Sequence, residues 1–288
     1  MQLPDLRILP LEALVPHERT DPRRVNPLLA RLNAEAVLRN PPIVAPFGNG
    51  DARFVVLDGA NRTNAFQALG VPHILAQVVD YAQVQLFVWH HIITQCSMEN
   101  LLEQINSIAG IHSREGDLMQ ARAALARREA LAFISCGDLP PPSRERTGAR
   151  VETQSTNILL GGADVRERTE LLNQLVDMYE GCSKVQRTTS DTLRDARAAY
   201  PDASAVVVFP RYEPAEIIDL ARTGVRLPAG ITRHVLPQRA LRLNYPMEVL
   251  RSDMPLSQKQ AHLSEWIYER VQRRNVRAYA EPTVMFDE

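Results

Sequence analysis

The clearest chemistry in the chain lies in Asp58-Gly59-Ala60-Asn61-Arg62, which stands between the apolar run Arg53 to Leu57 and a segment with helical character. A strand that runs through a short loop straight into a helix suits a phosphate, because the first N–H groups of a helix lack intrahelical acceptors and carry partial positive charge. Gly59 permits close backbone approach or a positive φ. Arg62 adds a fixed cation able to contact two phosphate oxygens, and Ala60, Asn61 and Thr63 complete the cradle. Asp58, at the strand end, is placed to hold Mg2+ or a metal-bound water beside the same phosphates. A strand–Asp-Gly–helix junction also occurs as a plain turn with an N-cap, so these residues alone leave both readings open.

Other polar groups are less specific. Thr232-Arg233-His234 forms a polar triplet on a predicted strand, where Arg233 is able to clamp a carboxylate or phosphate with His234 assisting; an exposed strand edge is the alternative. Cys182 has no neighbouring base and reads as buried or incidental. Arg122, Arg127 and Arg128 alternate with Glu129 and alanines, the pattern of a solvated helix face and not of a nucleic-acid patch.

The elements that must position these groups follow from periodicity and punctuation. Leu9 to Val15 reads as a short strand or turn leading to His17-Glu18. Pro22 to Asn40 has helical spacing, with Asp21-Pro22 as N-cap and first turn and Asn40-Pro41-Pro42 as the stop. Ile43 to Phe47 and Arg53 to Leu57 form a predicted hairpin around Gly48-Asn49-Gly50-Asp51, followed by a helix from Arg62 to Leu69 and a strand from Ile74 to Val79. Beyond Tyr81, helices are predicted at Leu86–Ile108, Leu118–Phe133, Glu167–Tyr179, Pro214–Thr223 and Leu263–Arg274. Strands are predicted at Ala205–Phe209 and at Arg277–Phe286, a strand or hairpin over Gly230–Asn244, and a long loop over Pro140–Thr156. The fold class is α+β, with one domain over 1–82 and a larger mixed domain over 83–288.

Composition bounds the function. Of 288 residues, 45% are hydrophobic and 23% charged, the balance of a folded protein with a substantial core. The net charge of −1, from 33 basic and 34 acidic residues, makes nucleic acid an unlikely main partner, since phosphate contacts demand a basic excess. Three scattered cysteines form neither a disulfide framework nor a zinc motif. Neither a signal-peptide pattern nor a membrane-length apolar run is present, so the expected setting is cytoplasmic and without a membrane.

The segment FVVLDGANRTNAFQALGVPHILAQVV resembles the nucleotide loop of the ParB/sulfiredoxin-like superfamily, and LPLEALVPHE extends the match upstream. YEGCSKV, LPAGITRHVLPQRALRLNYPMEVL and RAYAEPTVMF resemble, in order, the free serine kinases of staphyloferrin B siderophore clusters, relatives of the archaeal ADP-dependent serine kinase. The resemblance implies an N-terminal nucleotide-binding domain, a second domain completing the acceptor site, and phosphoryl transfer from ATP or ADP with Mg2+ to L-serine. The O-phospho-L-serine formed would feed synthesis of 2,3-diaminopropionate for a siderophore. It assigns the catalytic base to Glu18, whose carboxylate would accept the serine hydroxyl proton, and the catalytic and metal-side carboxylate to Asp58. His17, Trp89, His91, Arg233 and His234 would contact the acceptor. Without the resemblance, Glu18 reads as a solvated loop carboxylate, and in Trp89-His90-His91 the two histidines read as neighbours pointing different ways on a helix, with Trp89 in the core. Asn61 departs from the histidine usual in those kinases: it can donate to phosphate but cannot carry charge. The oligomeric state is left open, a homodimer included.

Two relatives by fold compete. A sulfiredoxin-type reaction needs a loop cysteine, and the loop has none. A ParB-like, nucleotide-responsive DNA-binding regulator would need the missing G-E-R-R element and a helix-turn-helix; basic residues in Arg144 to Arg150 are its main support.

Overall fold

A computed structural model describes residues 3–136 and 155–279, and the alternation of short apolar runs with Gly and Pro punctuation yields an α+β architecture in two compact units. One unit comprises Met1–Pro16, Thr20–Val84 and Leu236–Glu288, the other His17–Arg19 and Gln85–Val235.

The first unit begins with β1 (Asp5–Pro10), β2 (Leu14–Pro16), α1 (Pro22–Glu35), β3 (Val37–Leu38), β4 (Ile43–Gly48), β5 (Asp51–Asp58), α2 (Ala60–Ala68) and β6 (His73–Val78). Its sheet runs β1-β6-β4-β5-β2, with the predicted β4–β5 hairpin antiparallel and β2 parallel to β5. Asp21 caps α1 by accepting from Arg23 N, as its position before Pro22 implies. The helix stops short of the predicted Asn40 because Ala36 takes a left-handed φ of 54°.

The second unit contains β7 (Gln85–Val88), β8 (His90–Thr94), α3 (Met98–Asn106), β9 (His112–Gly116), α4 (Leu118–Ala126), β10 (Ala132–Cys136), β11 (Ser155–Leu160), α5 (Val165–Cys182), β12 (Lys184–Thr188), α6 (Leu193–Ala196), β13 (Ala205–Val208), α7 (Pro214–Thr223) and β14 (Thr232–Val235). Six strands form an antiparallel sheet in the order β12-β8-β13-β10-β11-β9, while β14 pairs with β7. Ala121, Ala124, Leu193 and Ala196 pack with Ile92, Phe133 and Val206 in one core cluster.

The long helix predicted over Leu86–Ile108 is instead two strands and a short helix. Ile92, Ile93 and Thr94 are buried at successive positions, which suits a strand covered on both faces, and β-branched side chains favour it. The helix begins only at Ser97, whose side chain accepts from Asn100 N. The predicted helix to Phe133 likewise ends at Ala126, and Phe133 lies in β10; Arg128, at φ 60°, turns the chain between them.

After β14 the chain rejoins the first unit through β15 (Tyr245–Pro246), α8 (Met247–Arg251) and α9 (Leu256–Gln272). β15 pairs with β3. Tyr245, Met247, Leu250 and Leu263 share a core with Ile8, Phe66 and Ile74. The segment up to residue 82 therefore shares its core with residues after Val235, and the compact unit formed with Gln85–Val235 ends at Val235. Of the predicted strand Arg277–Phe286, residues 277–279 have no regular structure, and the rest lies outside the described residues. So do most of the predicted loop Pro140–Thr156 and the basic run Arg144 to Arg150. Among the described residues no helix is long and apolar enough to cross a membrane.

Candidate active site

In the first unit, β5 delivers the chain to the start of α2. Gly59 is the N-cap at φ 99° and ψ 26°. A Cβ there would stand 2.8 Å from Pro42 Cβ and 2.9 Å from Arg62 Nη1, so only glycine fits the turn. Thr63 N donates to Gly59 O at 2.9 Å, the first intrahelical bond, so the N–H groups of Ala60, Asn61 and Arg62 precede the ladder and face the helix start. The Thr63 hydroxyl donates to the same carbonyl at 3.2 Å and is buried; it holds the turn. Arg62 Nη1 donates to Pro41 O at 3.0 Å. Asn61 Oδ1 accepts from Asp21 N at 3.0 Å, which leaves its NH2 as a donor. Asp58 Oδ2 accepts from Arg239 Nη1 at 2.6 Å, in a pair exposed by more than a third on both sides.

In the second unit, Glu18 is no free loop carboxylate. Its Oε2 accepts from Gly230 N at 2.8 Å, and its Oε1 accepts from Thr232 N at 2.7 Å and from the Thr232 hydroxyl at 2.6 Å. A carboxylate offers about four acceptor positions, so three are filled and one remains on Oε2. His17 Nε2 lies 2.9 Å from Thr232 Oγ1; because the hydroxyl proton goes to Glu18, this nitrogen donates to the hydroxyl. The His17 and His234 rings meet edge to face at 5.4 Å. Gly230, at φ 70°, presents its N–H to Glu18 while its α-carbon lies against the Arg187 guanidinium, where a Cβ would collide.

Strand alternation divides the remaining candidates. Thr232 and His234 are buried, whereas Arg233 stacks on the Trp89 ring at 4.5 Å, across the β14–β7 pair. His91 belongs to the core: it is 2% exposed, its Nδ1 lies 2.6 Å from the Tyr179 hydroxyl, and its ring packs on Phe209. Burial pushes its pKa down to about 3, with Arg187 and His90 adding to the effect. A cavity of about 660 Å3 in the same unit is lined by His90, Arg122, Arg128, Asp191 and Arg211 among others, and none of the expected site residues borders it. The arginines of α4 and its end are paired, Arg122 with Asp191, Arg127 with Glu129 and Arg128 with Glu216.

Of the expected residues, the structure gathers Asp58 to Thr63 at one helix start and His17, Glu18 and His234 in one cluster. Trp89 and Arg233 form a separate stacked pair, and His91 is placed in the core. Sequence reasoning passed over Gly230, Thr232 as the partner of Glu18, and Arg239 as the partner of Asp58. All three lie in the LPAGITRHVLPQRALRLN segment, and Thr232 also stands in the polar triplet Thr232-Arg233-His234.

No family model matches the chain. The ATP-dependent L-serine kinase SbnI of Staphylococcus aureus is 24% identical over 98% of this chain and 97% of its own length. An ATP-dependent L-serine kinase of Staphylothermus marinus is 26% identical over 85% of this chain and 90% of its own. Among solved structures, C-terminally truncated SbnI from Staphylococcus aureus superposes with a TM-score of 0.70 at 19% identity, covering 92% of this chain and 97% of that one. A free serine kinase in complex with AMP gives 0.70 at 20% identity, covering 86% and 95%. The resemblance to free serine kinases read from the sequence is borne out over nearly the full length, and the fold is shared.

Proposed function

We propose that this chain is a free L-serine kinase that transfers a phosphoryl group from ATP to L-serine, giving O-phospho-L-serine and ADP. The observation that carries the reading is the Glu18 carboxylate, held by three donors with one acceptor position left on Oε2. A solvated loop carboxylate has no use for such a mounting. A base that takes the proton of a poor nucleophile needs it, because orientation sets the rate of proton transfer. The full-length likeness to two proteins named as ATP-dependent L-serine kinases supports both the acceptor and the donor.

In this reading the serine Oγ attacks the γ-phosphorus, its proton passes to Glu18 Oε2, and the bond to the β–γ bridging oxygen breaks to release ADP. Gly230 and Thr232 fix the carboxylate, and His17 orders the Thr232 hydroxyl. In the first unit the N–H groups of Ala60, Asn61 and Arg62, the Asn61 amide and the Arg62 guanidinium bind phosphate oxygens. Asn61 serves as a neutral donor where the kinases carry histidine. Arg233, stacked on Trp89, offers a cation for the serine carboxylate. His91, packed in the core against Tyr179 and Phe209, has no contact role in this reading.

The loop suits a nucleotide-bound Mg2+. Such an ion takes most of its ligands from phosphates and water and needs only one or two carboxylates; Asp58 at the loop would hold it, exchanging its pairing with Arg239. Among the described residues no group of three or more metal-ligating side chains occurs, and this mode of binding requires none. When bound, Mg2+ neutralises charge on the phosphate oxygens. The DNA-regulator reading gains nothing from the paired arginines around α4.

Phosphorus NMR of the protein with Mg2+, L-serine and either ATP or ADP tests the proposal. A growing O-phosphoserine signal with ATP is expected. Nucleotide binding without product from either donor would overturn it.

A further inference from the structure

The phosphoryl transfer makes no use of the cavity of about 660 Å3 in the second unit, whose size falls in the roughly 300–1,000 Å3 range of small-molecule sites. The sheet sets its back wall. Side chains alternate along β8, so His90 shares a face with Ile92. Ile92, Phe133 and Val208 pack with Ala121, Ala124 and Leu125 of α4 in one cluster, and Phe133 and Val208 are direct partners across β10 and β13. His90 therefore stands on the face that α4 covers. The cavity lies at the end of that helix, between Leu125 and Ala126 on one side and Phe209, Arg211 and Glu213 on the other.

Two ion pairs at its border are closed. Arg122 donates to both oxygens of Asp191, at 2.6 and 2.9 Å. Arg128 donates to Glu216 at 2.6 Å, with its guanidinium over the Tyr212 ring. Three other groups on the lining keep unused capacity. His90 Nδ1 accepts from Phe209 N at 3.3 Å, and burial holds the ring's pKa down to about 4, so the neutral ring carries its proton on Nε2. Among the described residues Nε2 has no hydrogen-bond partner, and it is not sealed from solvent. Arg211 and Glu213 are exposed, and among the described residues neither is in an ion pair, with the other or with a third group.

Once the closed pairs are set aside, the lining offers one cation, one carboxylate, one neutral N–H donor and an apolar flank of Leu125 and Ala126. A simple anion would meet Glu213 uncompensated, and a simple cation would meet Arg211; a zwitterion answers both. We propose that this cavity binds an aliphatic α-amino acid. Its carboxylate would sit on Arg211 and His90 Nε2, in charge-assisted hydrogen bonds, its ammonium on Glu213, and its side chain along Leu125 and Ala126. Neither Glu18 nor Thr232 borders the cavity, so the bound amino acid is a ligand and not a phosphoryl acceptor. The proposal stands whether or not the chain phosphorylates serine.

The test is calorimetric titration of the full chain with L-leucine and with L-valine, each with and without excess L-serine. Saturable binding of at least one of them is expected, and L-serine should not displace it. Arg211→Met, at an exposed position, should weaken binding roughly 10- to 100-fold. Ala126→Trp, also at an exposed position, should fill the space and abolish it. 4-Methylpentanoate, which lacks the ammonium, and 3-methylbutylamine, which lacks the carboxylate, should each bind more weakly than L-leucine by about tenfold or more. Absence of binding by both amino acids would overturn the proposal. So would displacement by L-serine, full affinity in both Arg211→Met and Ala126→Trp, or equal affinity for 4-methylpentanoate and L-leucine.

Discussion

The Thr232 hydroxyl donates to Glu18 Oε1 at 2.6 Å across 214 positions of sequence. Because a hydroxyl has one proton, the 2.9 Å contact between Thr232 Oγ1 and His17 Nε2 must be donated by the imidazole. His17, Thr232 and Glu18 therefore form a directed chain whose last member is the carboxylate. The backbone N–H groups of Gly230 and Thr232 hold that carboxylate from the same loop.

Replacing Thr232 by Val keeps the backbone donor and removes the hydroxyl, leaving Glu18 and His17 each one partner short. A hydrogen bond to a charged group contributes about 1.5–3 kcal/mol, so kcat should fall roughly 10- to 100-fold while ATP affinity stays unchanged. Thr232→Ser should restore most of the loss. Steady-state kinetics of the two variants beside nucleotide titrations checks this; a fall in ATP affinity with kcat intact would place Thr232 elsewhere in the reaction.

Gly59→Ala should damage the phosphate loop. Its φ of 99° is strained for any other residue, and the added methyl would press on Pro42 and on the Arg62 guanidinium. A cost of about 1–3 kcal/mol in stability is expected from the backbone alone, together with weaker ATP binding. Chemical denaturation and calorimetric titration measure the two effects separately.

Stability should depend on pH through two imidazoles, the half-buried His90 and the buried His91. Burial holds His90 down to about 4, with Asp191 opposing and Arg211 assisting, and holds His91 down to about 3. The unfolded chain binds these protons near pH 6.5, before the folded chain does, so the unfolded state gains as pH falls through that window. Full stability is present above about pH 6.5, is lost progressively toward the folded values, and changes no further from these groups below them. For His90 alone the loss at pH 4 is about 3 kcal/mol. Urea titrations from pH 7 to pH 4 should show the decline, and His90→Asn should flatten part of it; an unchanged slope in that variant would contradict the burial argument.

Much of the local structure was legible because it rests on neighbours in sequence. Pro214–Thr223 matches its prediction to the residue, since Glu213-Pro214 opens α7 and Gly224 closes it in a left-handed cap. The strand–Gly59–helix turn was legible for the same reason. Leu86–Ile108 was misread because apolar runs do not tell a strand buried on both faces from a buried helix; β7 and β8 exist through partners far along the chain, β14 and β13. The site residues divide in the same way. Asp58 to Thr63 are contiguous, but the Arg239–Asp58 pair joins residues 181 apart, and nothing local at Glu18 announces Thr232. Trp89 and His91 entered by resemblance and Arg233 through the Thr232-Arg233-His234 triplet, and only strand alternation and burial separate the stacked pair from the core histidine.

The most direct test of the central claim is single-turnover phosphoryl transfer by Glu18→Gln beside the unaltered protein, with ATP binding measured on both. The amide keeps the shape and can still accept at its oxygen, but it cannot take the serine proton. Loss of a positioned general base should slow transfer by about 100- to 10,000-fold, with ATP affinity unchanged. Transfer at the unaltered rate in Glu18→Gln would contradict the assignment of Glu18 as the base.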